Sequence, residues 1–132
     1  MKFFSYKKTI LVAGIFLLSF LGSFARAANY GDVVNFNVDK DFDASARTQI
    51  TATLVKTGNN LYFYIEKSWW DSQLPAKQAE TLSYLDNLSA EFDNKIYPTL
   101  TSVFGSEWKP GVDGDNRIAV LFEAMNSNEG GY

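Results

Sequence analysis

The stretch TQITATLVKTGNNLYFYIEK, residues 48–67, decides the fold, because it alternates apolar and polar side chains on both sides of a turn signal. The apolar residues recur at every second position: Ile50, Ala52 and Leu54 before the turn, and Leu61, Phe63 and Ile65 after it. The turn signal is Gly-Asn-Asn at 58–60. The stretch therefore predicts a β-hairpin with a three-residue turn.

An isolated hairpin is marginally stable in water, so this hairpin needs a further strand and a packing partner. VVNFNV, residues 33–38, alternates with Val34, Phe36 and Val38 on one face and predicts that strand. The acidic stretch DKDFDA, residues 39–44, predicts a loop between this strand and the hairpin.

The hydrophobic period changes after Trp70, and apolar residues fall at helical spacing: Leu74, Leu82, Leu85, Leu88, Phe92 and Ile96. This spacing predicts one amphipathic helix over 74–97. Pro98 cannot donate to a continuing helix, so it predicts a second short helical piece, ended by Gly105.

RIAVLFEA, residues 117–124, is apolar on both faces and predicts a strand buried on both sides. The predicted fold class is α+β, with a small antiparallel β-unit followed by a long amphipathic helix and this buried strand. The predicted domains are an N-terminal β-unit at 28–70 and a second unit at 71–132, with a boundary near 68–74.

The first 27 residues have the organisation of a secretory signal peptide. Three lysines precede the apolar run ILVAGIFLLSFLGSF at 10–24, and Ala25-Arg26-Ala27 provides small residues for signal peptidase. The run is shorter than the roughly 20 residues that span a bilayer comfortably, although an uncleaved anchor is the alternative. We expect cleavage after Ala27, secretion, and no stable membrane insertion afterwards.

Charge and composition exclude several classes of function. Without residues 1–27, the chain has 8 basic and 15 acidic side chains and a net charge of −7. This charge argues against binding to nucleic acid or to anionic membrane surfaces. The whole sequence contains no histidine and no cysteine, which excludes a Ser-His-Asp triad, a cysteine nucleophile and a His/Cys zinc site.

Four aromatic residues near the hairpin are candidates for substrate binding: Tyr62, Tyr64, Trp69 and Trp70. Exposed aromatic rings form stacking platforms for a sugar or a peptide. The alternative is that the tryptophans pack between the two units and the tyrosines line a solvated strand face.

Asp113 and Asp115 in the turn GVDGDN are candidate calcium ligands, because hard cations prefer several oxygen ligands. The EF-hand pattern fails, since the twelfth position from Asp113 is Ala124 and not glutamate. The alternative is an ordinary Asp/Gly/Asn turn that leads into the following strand.

Glutamates could also supply a glycosidase carboxylate pair. The spacing selects no two of the five glutamates considered: Glu66, Glu80, Glu91, Glu107 and Glu123. Helical neighbours of opposite charge indicate a solvated face for those on the predicted helix.

The segment FDNKIYP at 92–98 and the segment FGSEWKPGVDGDNRI at 104–118 carry a resemblance to a known family. Together with the following apolar strand and the loop GGY at 130–132, they resemble the N-terminal portion of hyicolysin-type secreted zinc metallopeptidases. The resemblance to immune inhibitor A-type peptidases is looser. The pair Gly31-Asp32 and the aromatic hairpin are also similar to the small β-unit that precedes this segment in the family.

The resemblance implies a zincin-like domain that is incomplete here. In the family, a later H-E-x-x-H helix supplies two zinc-binding imidazoles and a general-base glutamate. This chain has no histidine, so no catalytic role passes to any of its residues, and we expect it to be inactive and truncated.

Zinc and a peptide or protein substrate are implied only for the intact family member, where the 117–124 strand would belong to the active-site sheet. A stand-alone secreted module that binds a glycan or peptide through the hairpin aromatics is the alternative function.

Overall fold

The computed structural model describes residues 28–112, 114–128 and 130–131, and it has an α+β fold built on one four-stranded sheet. The strands lie in the order β1-β2-β3-β4, with the bounds Val33–Asn37 (β1), Gln49–Thr57 (β2), Leu61–Glu66 (β3) and Ile118–Phe122 (β4). The helices are Lys67–Ser72 (α1), Pro75–Glu91 (α2) and Tyr97–Phe104 (α3), with a π-helical turn at Phe92–Ile96. The predicted α+β class is confirmed.

Strands β1, β2 and β3 pair antiparallel, and β4 pairs parallel to β3. The predicted hairpin and its neighbouring strand are therefore confirmed. A bulge interrupts the hairpin, since Leu54 lies opposite Tyr64 and Lys56 lies opposite Phe63. The extra residue, Val55, adds its side chain to the core on the helical side of the sheet.

The helical region covers the predicted range, but its two pieces are joined without a break by the π-helical turn. The backbone N–H of Tyr97 bonds to the carbonyl of Phe92, five residues earlier, and α3 follows without a break. Pro98 has no N–H, and as an early residue of α3 it needs none. The prediction of a helix ending at Gly105 is confirmed, where φ is +81°.

The sheet buries apolar side chains on both faces. On the helical face, Phe63, Ile65, Trp70 and Leu85 form one cluster, supported by Leu82, Phe92 and Val120. On the opposite face, the buried cluster consists of Ala52, Leu54, Tyr62 and Tyr64, with Ala28, Phe36 and Leu121 packed against it. Only part of the predicted apolar helix face is covered, since Leu74, Leu88 and Ile96 are exposed.

The prediction that the strand at 117–124 is buried on both sides is wrong for this chain. Ile118 and Phe122 of β4 expose 39% and 38% of their surface, while β3 is buried at five of six positions. The physical reason is position, because β4 is the last strand of the described sheet and β3 lies inside it.

The signal-peptide prediction falls on residues 1–27, which lie outside the described residues. None of the helices in the described part of the chain is long and apolar enough to cross a membrane. The division into units at 28–70 and 71–132 stays a prediction. Strand β4 of the second predicted unit pairs with β3 of the first.

Candidate functional site: the free edge of strand β4

The four aromatic residues predicted to bind substrate do not form one exposed surface. Tyr62, Tyr64 and Trp70 expose only 4%, 6% and 7% of their surface, and Trp69 alone is substantially exposed, at 43%. Tyr64 packs edge-on against Phe36, with 4.9 Å between the ring centroids. Three of the four rings are therefore buried and do not form an exposed platform, and substrate binding by these residues stays a prediction.

The Asp115 carboxylate in the acidic turn contacts the side chains of Tyr62 and Arg117. The Tyr62 hydroxyl donates to Asp115 Oδ2 at 2.7 Å, and Arg117 Nη1 donates to the same hydroxyl at 2.9 Å. Arg117 Nε also donates to the carbonyl of Gly58 at 3.1 Å. The hydrogen bond from Tyr62 holds the pKa of Asp115 below its usual value, and burial together with Asp115 raises the pKa of Tyr62. This turn fastens the start of β4 to the hairpin.

Calcium binding at Asp113 and Asp115 stays a prediction. Asp113 lies outside the described residues, and the Asp115 carboxylate is engaged by Tyr62 and Arg117. In the described ranges, no three Asp, Glu, His or Cys side chains are grouped closely enough to hold a metal ion.

A partly buried ion-pair cluster joins the acidic loop to the carboxyl end of β3. Arg47 Nη2 donates to Asp43 Oδ1 at 2.5 Å, and Arg47 Nη1 donates to Glu66 Oε1 at 2.6 Å. Asp43 is only 1% exposed, although the sequence places it in an acidic loop. Hydrogen bonds from Arg47 hold the pKa of Asp43 far below its usual value and also lower the pKa of Glu66.

A second, partly buried contact joins the helices to the hairpin turn. Asp93 accepts hydrogen bonds from the backbone N–H groups of Asn59 and Asn60, both at 3.2 Å, and from the Asn60 side chain at 2.9 Å. The approach is close, because a Cβ on Gly58 would lie 2.2 Å from Ser89 Oγ. In the sequence, Asp93 stands only in the segment that resembles the metallopeptidase family. No local pattern predicts its contact with Asn60, which lies 33 residues earlier.

Strand β4 is an edge strand of the described sheet, and its two ends lie near these anchoring contacts. One edge pairs with β3, and among the described residues no strand pairs with the other. A groove of about 630 Å³ is lined by every residue from 119 to 123. Since consecutive strand side chains point to opposite faces, such a groove runs along the strand edge.

The far side of this groove includes Val38, Met125 and Gly130. The segment after β4 is held by the Asp43 loop, since Ala44 N–H donates to the Ala124 carbonyl at 3.0 Å and Asn126 N–H to the Phe42 carbonyl at 2.8 Å. The free edge is therefore fixed in position at both ends, by Arg117 at its start and by this loop at its end.

Comparison of the chain with protein-family models, with curated proteins and with solved structures finds no match in any of the three.

Proposed function

We propose that this chain is the N-terminal portion of a secreted zinc-dependent endopeptidase of the hyicolysin type, in which β4 contributes to the sheet beside the active site. The single observation that supports this most is the free edge of β4 with the groove along it. An extended peptide adds to such an edge by main-chain hydrogen bonds, with alternate side chains contacting the groove.

The contacts of the motif residues agree with this proposal. Asp93, Asp115 and Arg117 belong to the two segments that carry the family resemblance, and all three make contacts that position the hairpin, the helices and β4 relative to one another. A motif that fixes the scaffold of an active-site sheet would have these contacts.

The residues present do not fit a zinc ion. The sequence has no histidine and no cysteine, and the described side chains include no group of three candidate ligands. The zinc ligands and the general base of the proposed peptidase would therefore come from a later segment, and no catalytic step is assigned to any residue of this chain.

The alternative function, a stand-alone module that binds through hairpin aromatics, has less support. It requires exposed rings, whereas Tyr62, Tyr64 and Trp70 are buried.

The nucleotide sequence after the Tyr132 codon tests the proposal directly. We expect an open frame that encodes H-E-x-x-H, and a stop codon with no such motif in any downstream frame would refute it. The protein of residues 1–132 should show no proteolysis of casein with added zinc, whereas the longer product should cleave casein and lose this activity with a chelator. Chelator-sensitive cleavage by the 132-residue protein would contradict the assignment of catalysis to a later segment.

A further inference from the structure

A small cavity lies beyond the carboxyl ends of β3 and β4. Its volume is about 190 Å³, and it is lined by Glu66, Trp69, Phe122, Glu123 and Ala124. Ile65 pairs with Phe122 in the parallel register, so the next residues, Glu66 and Glu123, follow at equivalent positions. In open sheets, the crevice outside the carboxyl ends of parallel strands is a common place for ligands.

The charge around this cavity is negative. Glu66 and Glu123 line it, and Glu66 shares the Arg47 guanidinium with Asp43. These four side chains carry three negative charges and one positive charge. The hydrogen bonds from Arg47 lower the pKa of Glu66, so this carboxylate stays ionised near neutral pH. The cavity therefore favours a cationic ligand over an anionic one.

The lining also provides aromatic surface. Trp69 and Phe122 are 43% and 38% exposed, which leaves part of each side chain accessible to a ligand. A cation near an aromatic ring face is stabilised by the ring quadrupole, most strongly with tryptophan. Aromatic side chains beside carboxylates are thus suited to an ammonium or guanidinium group.

The size of the cavity selects among possible ligands. Pockets for drug-sized molecules measure roughly 300–1,000 Å³, which exceeds the 190 Å³ found in this cavity. Glu66 is also disfavoured as the general acid of a glycosidase pair, because that role needs a raised pKa and the pKa of Glu66 is lowered. The charged head group of a single side chain fits this volume better than a drug-sized molecule does.

We propose that this cavity binds the cationic head group of a lysine or arginine side chain from a peptide, with Glu66 and Glu123 as counter-ions and Trp69 as an aromatic wall. This inference does not depend on the proposed peptidase function, because it concerns binding by the present residues alone.

Tryptophan fluorescence tests the proposal with three small probes: the Nα-acetyl methylamides of arginine and lysine, and Nα-acetyl-citrulline methylamide, the neutral isostere of the arginine probe. The measurement uses a Trp108→Phe background, since Trp108 is 85% exposed and would add an unrelated signal. We expect saturable binding of the arginine and lysine derivatives and at least tenfold weaker binding of the citrulline derivative. Equal binding of the charged and neutral probes, or no saturable change with the charged ones, would overturn the proposal.

A matched pair of variants locates the site. Glu123→Gln should weaken binding of the arginine probe about tenfold, whereas Glu80→Gln, on α2 and outside the cavity lining, should leave it unchanged. Unchanged binding by a folded Glu123→Gln protein would place the site elsewhere and overturn the assignment. If Glu123→Gln does not fold, the contrast between arginine and citrulline on the unaltered carboxylates still decides the matter.

Discussion

Strands β3 and β4 are neighbours with similar sequences and very different surroundings. LYFYIE of β3 and IAVLF of β4 are both rich in β-branched, aromatic and aliphatic residues, and they run parallel in a five-residue register. Five of six β3 residues are buried, whereas no β4 residue is. Composition is therefore not what distinguishes them.

The difference comes from which neighbours each strand has. Strand β3 lies between β2 and β4, with the helices on one face and Phe36 and Leu121 on the other. Strand β4 has a strand on one side only among the described residues. An apolar strand at a sheet edge keeps an unpaired row of backbone groups, which is a template for a further chain. We regard β3 as the centre of the fold and β4 as an exposed edge of the described sheet.

We expect the largest difference in stability when one phenylalanine ring is removed from each of the two strands. Phe63→Ala should lower the free energy of unfolding by about 3–5 kcal/mol, since the ring is fully buried and its loss leaves a cavity. Phe122→Ala should cost less than about 2 kcal/mol, because that residue is 38% exposed. Urea denaturation of both variants measures the difference, and equal losses would mean that β4 is as buried as β3.

Loss of the Arg47 guanidinium, which pairs with Glu66 at the end of β3, should have the next largest effect on stability. Arg47→Met leaves the buried Asp43 carboxylate without its ion-pair partner, so the thermal midpoint at neutral pH should fall by less than in Phe63→Ala. An unchanged thermal midpoint for Arg47→Met at pH 7 would show that this ion-pair cluster does not hold the Asp43 loop in place.

The same cluster predicts the direction of pH dependence. The pKa of Asp43 and of Glu66 is lower in the folded protein than in the unfolded chain, so their ionisation stabilises the fold above about pH 4. This contribution is lost as the pH falls further. In thermal melts between pH 7 and pH 3, the midpoint of Arg47→Met should therefore fall less steeply than that of the unaltered protein.

The smallest loss of stability should follow from removing the Tyr62 hydroxyl, which connects β3 to the start of β4. Tyr62→Phe removes the hydroxyl shared by Asp115 and Arg117, and it should cost about 1–2 kcal/mol. Tyr84→Phe is the matched control, because its exposed hydroxyl contacts only a surface glutamate and its loss should cost no more than about 0.5 kcal/mol. If urea denaturation gave the same value for both variants, the Tyr62 contact would not hold β4 in place.

Local signals in the sequence located most of the elements. Alternation on both sides of Gly-Asn-Asn predicts β2, β3 and their turn, and Gly105 predicts the end of the last helix. The predicted change at residues 97–98 lies within one residue of the start of α3 at Tyr97, but the π-helical turn that joins α2 to α3 is not predicted, because no local propensity indicates such a turn. The parallel pairing of β4 with β3 depends on the path of the intervening helices, which the hydrophobic pattern does not specify.

The candidate site was much less predictable than the elements. The sequence singled out Tyr62 and Asp115 for separate roles, as a binding ring and as a calcium ligand, and the structure joins them in one hydrogen bond across 53 residues. It also placed Asp43 only in an acidic loop, although Asp43 and Arg47 are four residues apart and form an ion pair in which the Asp43 carboxylate is buried. A spacing of four residues is an ordinary surface pattern until the loop conformation directs both groups inward.

The sequence by itself determined the α+β class, the hairpin, the helical region and the lack of histidine and cysteine ligands, because these depend on composition and on short-range periodicity. Only the tertiary structure decided which apolar strand is covered, which charges are buried, and that Glu66 and Glu123 share a cavity. Burial and electrostatic environment depend on neighbours that are distant in sequence. Periodicity shows which side chains share a face, but the assembled sheet decides what that face contacts.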